Sequence, residues 1–235
     1  MTDAPAHRFE PLPAQRLGDR VYQHLIEAIA TNRLPQGAKI QEDVLAEQMG
    51  VSKTPVREAL RRLEAEGFIS VDPHRTPEVR RLEPRDIEEL YGVREFLERL
   101  AVRTITEVRP AGILAEMETV QAAAEARLAS GETTDVAESV SYNRRFHGLI
   151  FHGAGNRRLL RLYELIDVDV RRLSFQSIRV SGRRRDAVIQ HRAILEAIKA
   201  GDADRAEALM IQHVQQARSD LLRQMAATAE PPGRV

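Results

Sequence analysis

The run Gly50-Val51-Ser52-Lys53-Thr54-Pro55-Val56-Arg57-Glu58-Ala59-Leu60-Arg61-Arg62-Leu63 constrains the fold more than any other stretch of the chain. Ser52 is of a type whose hydroxyl caps helix N-termini, and Pro55 falls in the first turn, where a missing N–H costs little. A helix therefore starts near Lys53. Along it Val56, Leu60 and Leu63 recur at helical spacing as a stripe to be buried, while Lys53, Arg57 and Arg61 form a separate basic stripe. One side packs. The other is free to contact phosphates and base edges, although a basic ridge taken alone is most often just a solvated face.

The flanking segments complete a recognisable unit. Leu17, Val21, Leu25, Ala28 and Ile29 mark an amphipathic helix that breaks between Asn32 and Gly37, and a shorter helix runs from about Glu42 to Met49, with Gly50 as its stop. The turn to Lys53 is short, as a helix-turn-helix requires. After Gly67, Phe68 to Val71 and Val79 to Leu82 read as two small strands with His74 and Arg75 at the tip between them.

Residues 16–82 so ordered resemble the winged helix-turn-helix of the GntR family of bacterial transcription regulators, and the Ser52 to Leu60 run is close to that family's signature. The resemblance implies that Ser52, Lys53, Thr54 and Arg57 meet the major groove of double-stranded DNA, with Arg61 further along the ridge and His74 and Arg75 on the wing. Arg57 is the candidate for bidentate reading of a guanine, because its planar fork matches the O6 and N7 acceptors. Two departures matter. Lys53 stands where the family more often has arginine, which replaces a fork by a point charge. At the wing tip, Arg75 and Thr76 occupy positions where relatives usually place a glycine beside the basic residue.

Composition narrows the remainder. The chain has 235 residues, 35 basic and 35 acidic, and residues 1–80 hold 11 Lys plus Arg against 12 Asp plus Glu, so no broad positive field draws it to nucleic acid. Binding must come from a focused surface and from pairing two copies, which predicts a homodimer on a pseudo-palindromic operator. With no cysteine, disulfides and thiolate metal sites are excluded. No apolar run approaches the roughly 20 residues that span a bilayer, and Met1 to Gln15 lacks a signal-like apolar core, so no membrane partner and a cytoplasmic location are expected.

From Glu83 onward the pattern is helical throughout. Gly and Pro punctuation divides residues 84–226 into six segments, near 85–108, 111–130, 133–152, 156–180, 184–200 and 202–226. The expected fold is mainly α: a tail over 1–15, a winged helix-turn-helix over 16–82, an all-α effector-binding and dimerisation bundle over 83–226, and a second flexible tail over 227–235. Asn156 reads as an N-cap, and the arginine-rich turn with Arg179, Arg183, Arg184 and Arg185 reads as a solvated connection.

The chemistry of the bundle lies in its histidines. Asn143 and His147 share one helical face with Val140, Phe146 and Ile150 around them, His191 shares a stripe with Ile194, Leu195 and Ile198, and His213 one with Leu209, Met210 and Val214. Each imidazole projects from a core-facing surface of a different helix. Taken singly, each is more often a satisfied core histidine. Together they can share a divalent metal, which satisfies buried lone pairs.

Residues 84–226 also resemble the helical effector domain of the FadR subfamily of GntR regulators, in its shorter six-helix branch, through Asp86 to Tyr91, Phe146-His147, His191 to Ile198 and Met210 to His213. Many members bind zinc, nickel or manganese through an aspartate and three histidines, and respond to small organic acids. The histidines transfer to His147, His191 and His213, while Asn143 occupies the place of the aspartate with a neutral, weaker donor. A metal held so carries more uncompensated charge, which favours an anionic ligand. Arg94 is the candidate for a carboxylate contact, its competing role being an ion pair with Glu98.

The expected protein is a ligand-responsive repressor, released from its operator by a small organic acid bound at or near the metal. One rival is a metal-dependent hydrolase built on the three histidines, although no acidic residue in a recognisable motif falls beside them to act as general base. The other is a regulator whose helical domain only dimerises.

Overall fold

The computed structural model describes residues 17–72, 75–130, 136–177 and 183–229. Two compact units emerge, one built from Leu34–Arg80 with the chain up to Ala28, the other from Ile29–Arg33 and the chain after Arg80. His74 and Arg179 lie outside the described residues, as do residues 1–16 and 230–235.

The first unit contains α1 (Leu17–Ala30), α2 (Glu42–Met49), α3 (Lys53–Ala65), β1 (Ile69–Ser70) and β2 (Glu78–Val79). The stop after α2 is the one its glycine predicts. Gly50 adopts a left-handed conformation at φ 64°, and the Val51 amide reaches back to the Ala46 carbonyl. Ser52 stands at the N-cap of α3 with extended backbone, but its hydroxyl makes no capping bond. An N-cap side chain serves the amide two or three residues on; Pro55 removes the second of these, and the hydroxyl does not take up the Thr54 amide either. Pro55, Val56, Ala59, Leu60 and Leu63 are buried, as the stripe requires. On α2 it is Ala46 that is buried, whereas Val44 is exposed.

The hairpin is shorter than its sequence pattern and offset from it. Ile69 pairs with Val79 and Ser70 with Glu78 in antiparallel register, so the second strand is Glu78–Val79 rather than Val79 to Leu82. A third extended segment explains the shift. The Gly37 amide donates to the Val79 carbonyl, Val79 to Ala38, and Ile40 to Pro77, which clamps β2 from its other edge. Such pairing is non-local and leaves no periodicity in a short segment.

The second unit is an all-α bundle of α4 (Pro84–Val108), α5 (Ala111–Ala129), α6 (Val136–Gly153), α7 (Arg157–Ser177), α8 (Arg183–Ala200) and α9 (Ala203–Ala229). Starts are set by side chains. Glu83 and Asp86 form a capping box ahead of α4, the Asn156 carboxamide oxygen accepts from the Arg158 and Leu159 amides, and Asp202 caps α9 through the Arg205 amide. Helix α4 runs through the middle and packs most extensively on α9, with Ile87, Tyr91, Val102 and Ile105 in the core it shares with Met117, Phe146, Leu195 and Met210. Gly153 ends α6 where α4 comes close: a Cβ there would stand 2.3 Å from Cδ1 of Ile105.

Candidate metal centre and nucleic-acid interface

His147 on α6, His191 on α8 and His213 on α9 are buried and meet at one point. Nε2 of His213 lies 3.3 Å from Nε2 of His147 and 3.2 Å from Nε2 of His191. Phe146 stacks flat on the His191 ring, with centroids 4.0 Å apart, and fixes its plane.

The neighbours of the other ring nitrogens decide what these three atoms are. Tyr142 donates its hydroxyl hydrogen to Oε1 of Gln121 at 2.6 Å, the Gln121 amide being oriented by its own donation to the Val188 carbonyl. A lone pair of the tyrosine oxygen therefore faces Nδ1 of His191 at 2.9 Å, and that nitrogen must carry the proton. Oε1 of Gln190, which also accepts from Arg183, faces Nδ1 of His213 at 2.8 Å and imposes the same tautomer. Nδ1 of His147 lies 2.7 Å from a carboxylate oxygen of Glu98. All three Nε2 atoms of the neutral rings are thus acceptors that face one another, and that of His147 also accepts from the Arg94 guanidinium at 3.2 Å. Neutrality is favoured too, since burial holds His191 and His213 well below the ordinary histidine pKa and lowers His147 as well.

Arg94 serves only the His147 nitrogen, so the Nε2 atoms of His191 and His213 still converge as acceptors, an arrangement that a shared cation relieves, and ring orientation by outer partners is how metal-binding imidazoles are held. Nitrogens bound to one zinc ion at about 2.0–2.1 Å in tetrahedral array stand roughly 3.3 Å apart. The observed separations fit a shared divalent ion. The donor set therefore fits the group expected of it.

Two other positions resolve differently. Asn143 borders the same small void as Tyr91, Arg94, Ser174, Arg183 and His213, beside the centre. Arg94 is buried and makes the competing ion pair, its Nε lying 3.3 Å from Oε1 of Glu98, while NH2 lies 3.2 Å from Nε2 of His147. Arg183, expected in a solvated connection, is instead buried and faces Asp220 at 3.5 Å. Arg183 is the first residue of α8 and is buried there.

Glu98 corrects the expectation that no acidic residue adjoins the histidines. It is fully buried on α4, on the stripe with Ile87, Tyr91, Arg94, Ala101 and Ile105. That stripe was the available signal, because an acid at a core position requires partners. Its placement also bears on hydrolysis. The carboxylate sits on the Nδ1 side of His147, away from the point where the Nε2 atoms meet, and so orients a ring rather than serving as a base at the centre.

In the first unit, Lys53, Thr54, Arg57 and Arg61 lie exposed along α3 with Ser52 at its start. Neither of the first two cations is bare. Nζ of Lys53 lies 2.7 Å from Asp43, and Nε of Arg57 lies 2.7 Å from Glu42, both acids in the first turn of α2. Arg75 is exposed and its amide donates to the Asp72 carbonyl.

Comparison with known proteins follows the same division. The family model for bacterial regulatory proteins of the gntR family matches residues 17–79, and the FCD domain model matches residues 89–216. The chain belongs to the GntR family. It is a DNA-binding transcription regulator with an FCD effector domain, as the resemblance implied and as expected of the FadR subfamily. Among similar proteins, the one named "Probable D-xylose utilization operon transcriptional repressor" of Paenarthrobacter nicotinovorans is 32% identical over 84% of this chain and 85% of its own. McbR of Escherichia coli K12 is 28% identical over 84% of this chain and 89% of its own. The solved structure of E. coli McbR/YncC superposes with a TM-score of 0.76 at 26% identity, covering 90% of this chain and all of that one. Members of this family bind double-stranded DNA and typically dimerise. No helix among the described residues is long and apolar enough to cross a membrane.

Proposed function

We propose that this GntR regulator is a metal-dependent repressor released from DNA by a small organic acid. The observation that carries the reading is the convergence of three buried Nε2 acceptors from three helices, with Tyr142 and Gln190 orienting His191 and His213 and the Glu98 carboxylate lying beside Nδ1 of His147. His147, His191 and His213 would hold a divalent ion, with Asn143 as a fourth, neutral donor. Bound there, zinc, nickel or manganese supplies a positive centre with room for an anionic oxygen.

Arg94 supplies the second cation for the acid. The void beside the centre is about 20 Å³, enough for one water molecule, so an acid enters only if walls such as Arg94 and Arg183 shift. That requirement is useful to a sensor, because a ligand moves an equilibrium only through groups it contacts differently in the two states. Helix α4 carries Arg94 and Glu98 and begins shortly after the DNA-binding unit ends, which makes it the route of the signal.

On DNA, two copies would present Ser52, Lys53, Thr54, Arg57 and Arg61 to successive major grooves of a pseudo-palindromic operator, with Arg75 and His74 on the wing. Homodimerisation has a surface available to it in Val93, Phe96 and Leu100 on one side of α4, all exposed. Repression is the sign supported by the name of the Paenarthrobacter relative. A cytoplasmic location follows from the DNA target.

The test is selection of bound duplexes from a random pool, metal analysis of untagged protein, and a screen of small acids for release of the selected site. Stoichiometric metal that is lost on His147→Ala, with release by an acid, is expected. Untagged protein that binds its operator, holds no metal after incubation with zinc, nickel or manganese, and responds to no acid would leave the bundle as a dimerisation module.

A further inference from the structure

Two acidic residues on α2 hold the two leading cations of α3. Glu42 pairs with Arg57 and Asp43 with Lys53, each at 2.7 Å, so that neighbours on one helix grip residues one turn apart on the next. We propose that Glu42 and Asp43 determine specificity by neutralising Arg57 and Lys53 against ordinary duplex, so that these cations are released only where base edges replace the carboxylates. The proposal rests on the reading that Lys53 and Arg57 meet DNA.

Helix N-termini attract acidic residues through their dipole, and that alone would account for Glu42 and Asp43 in the first turn of α2. It does not account for where their oxygens lie. A dipole is served by any carboxylate in the turn, whereas these two reach across the helix-turn-helix to separate partners. All four side chains are at least partly exposed, and pairs in water are weak and readily exchanged. A guanine offers Arg57 two acceptors in the geometry of its fork, which replaces the Glu42 contact in kind. A lone phosphate gives only charge, and a carboxylate that remains beside the cation repels it.

The charge balance of the unit points the same way. With 11 basic and 12 acidic residues in 1–80, no surplus of charge elsewhere compensates for the two neutralised cations. A cation already paired within the protein releases fewer counterions on meeting DNA, so affinity for random duplex should depend weakly on salt.

The experiment compares full-length protein with the double variant Glu42→Gln, Asp43→Asn, on the selected operator and on a duplex of equal length without it, over a range of salt concentrations. Freed cations should steepen the slope of log affinity against log salt on the second duplex by about 2. The ratio of operator to random affinity should fall roughly tenfold at low salt. Glu47→Gln, which removes a charge from an exposed position of α2 outside both pairs, should leave slope and ratio near those of the parent. In an Arg57→Ala background the added change Glu42→Gln should have no effect. An unchanged slope in the double variant, or an equal shift from Glu47→Gln, overturns the proposal. Should Arg57→Ala itself leave base preference intact, the recognition-helix reading fails and the proposal with it; an altered preference beside an unchanged slope defeats the proposal alone.

Discussion

Nδ1 of His191 donates to the hydroxyl of Tyr142 at 2.9 Å, and because that hydroxyl spends its own hydrogen on Gln121, the contact fixes the histidine tautomer. Phenol and imidazole are thereby coupled: which nitrogen of His191 faces the centre is decided one residue further out. Burial pushes the Tyr142 pKa well above its ordinary value, which keeps the phenol protonated and the arrangement intact over the physiological range.

Tyr142→Phe should leave the fold in place and free His191 to turn its proton toward the centre. Loss of such an outer partner typically lowers metal affinity about 10–100-fold. Competition against a chelator of known affinity, with the parent alongside, reads the change. Equal affinities would show that Tyr142 fills space and no more.

Stability should fall with acid in metal-free protein. The three histidines have folded pKa values below their unfolded ones, so the unfolded state binds more protons as pH drops through the ordinary histidine range. Their contribution is therefore complete above about pH 6.5 and is lost below it, by about 1.4 kcal/mol per pH unit for each ring that stays neutral in the fold. Urea midpoints at pH 7.5 and 5.5, taken with chelator present, test the sign. A midpoint that holds or rises on acidification contradicts it, and replacing His191 and His213 by glutamine should flatten the dependence.

Arg57→Ala should cost the operator complex about 1–3 kcal/mol and relax selection at one base position in each half-site. Repeating the random-pool selection with the variant gives the answer directly. Weaker binding with the preference intact at every position would reduce Arg57 to a phosphate contact.

Gly153→Ala should destabilise the helical unit by about 1–3 kcal/mol, because the added methyl meets Ile105 from α4 and Ile113 from α5 in a filled core. Gly148, inside the same helix, has open space where its Cβ would go, and alanine there should stabilise by roughly 0.5–1 kcal/mol through helix propensity. Denaturant unfolding of the two variants should therefore move in opposite directions. A shift of the same sign for both would mean that the approach of α4 to α6 is looser than the geometry shows.

Much of this architecture is written in local chemistry. Gly50, Asn156 and the breaks around Pro110 and Gly201 mark helix ends within a few residues, because a cap or a left-handed turn is decided by the residues that form it. The histidines were legible for a related reason: His147, His191 and His213 each lie on a helical stripe whose other members are apolar. What stayed hidden depends on partners far away in the chain. β2 is placed by Gly37 to Ile40, Glu98 is given its meaning by His147, and the pairs that neutralise Lys53 and Arg57 reach back across a turn to α2. Ser52 makes no hydroxyl cap, and Pro55 removes one of the two amides that such a cap could use, a conflict between two residues that are each favourable when considered singly.

The bond between Tyr142 and His191 has a practical side. The chain holds no tryptophan and four tyrosines, so its ultraviolet emission comes from phenol alone, without the brighter indole that usually obscures it. A ring wired to the histidine cluster by a single hydrogen bond gives the molecule an intrinsic optical gauge. Filling or emptying the pocket should change the combined emission of the four tyrosines in unlabelled protein, and the difference from Tyr142→Phe isolates the share of this side chain.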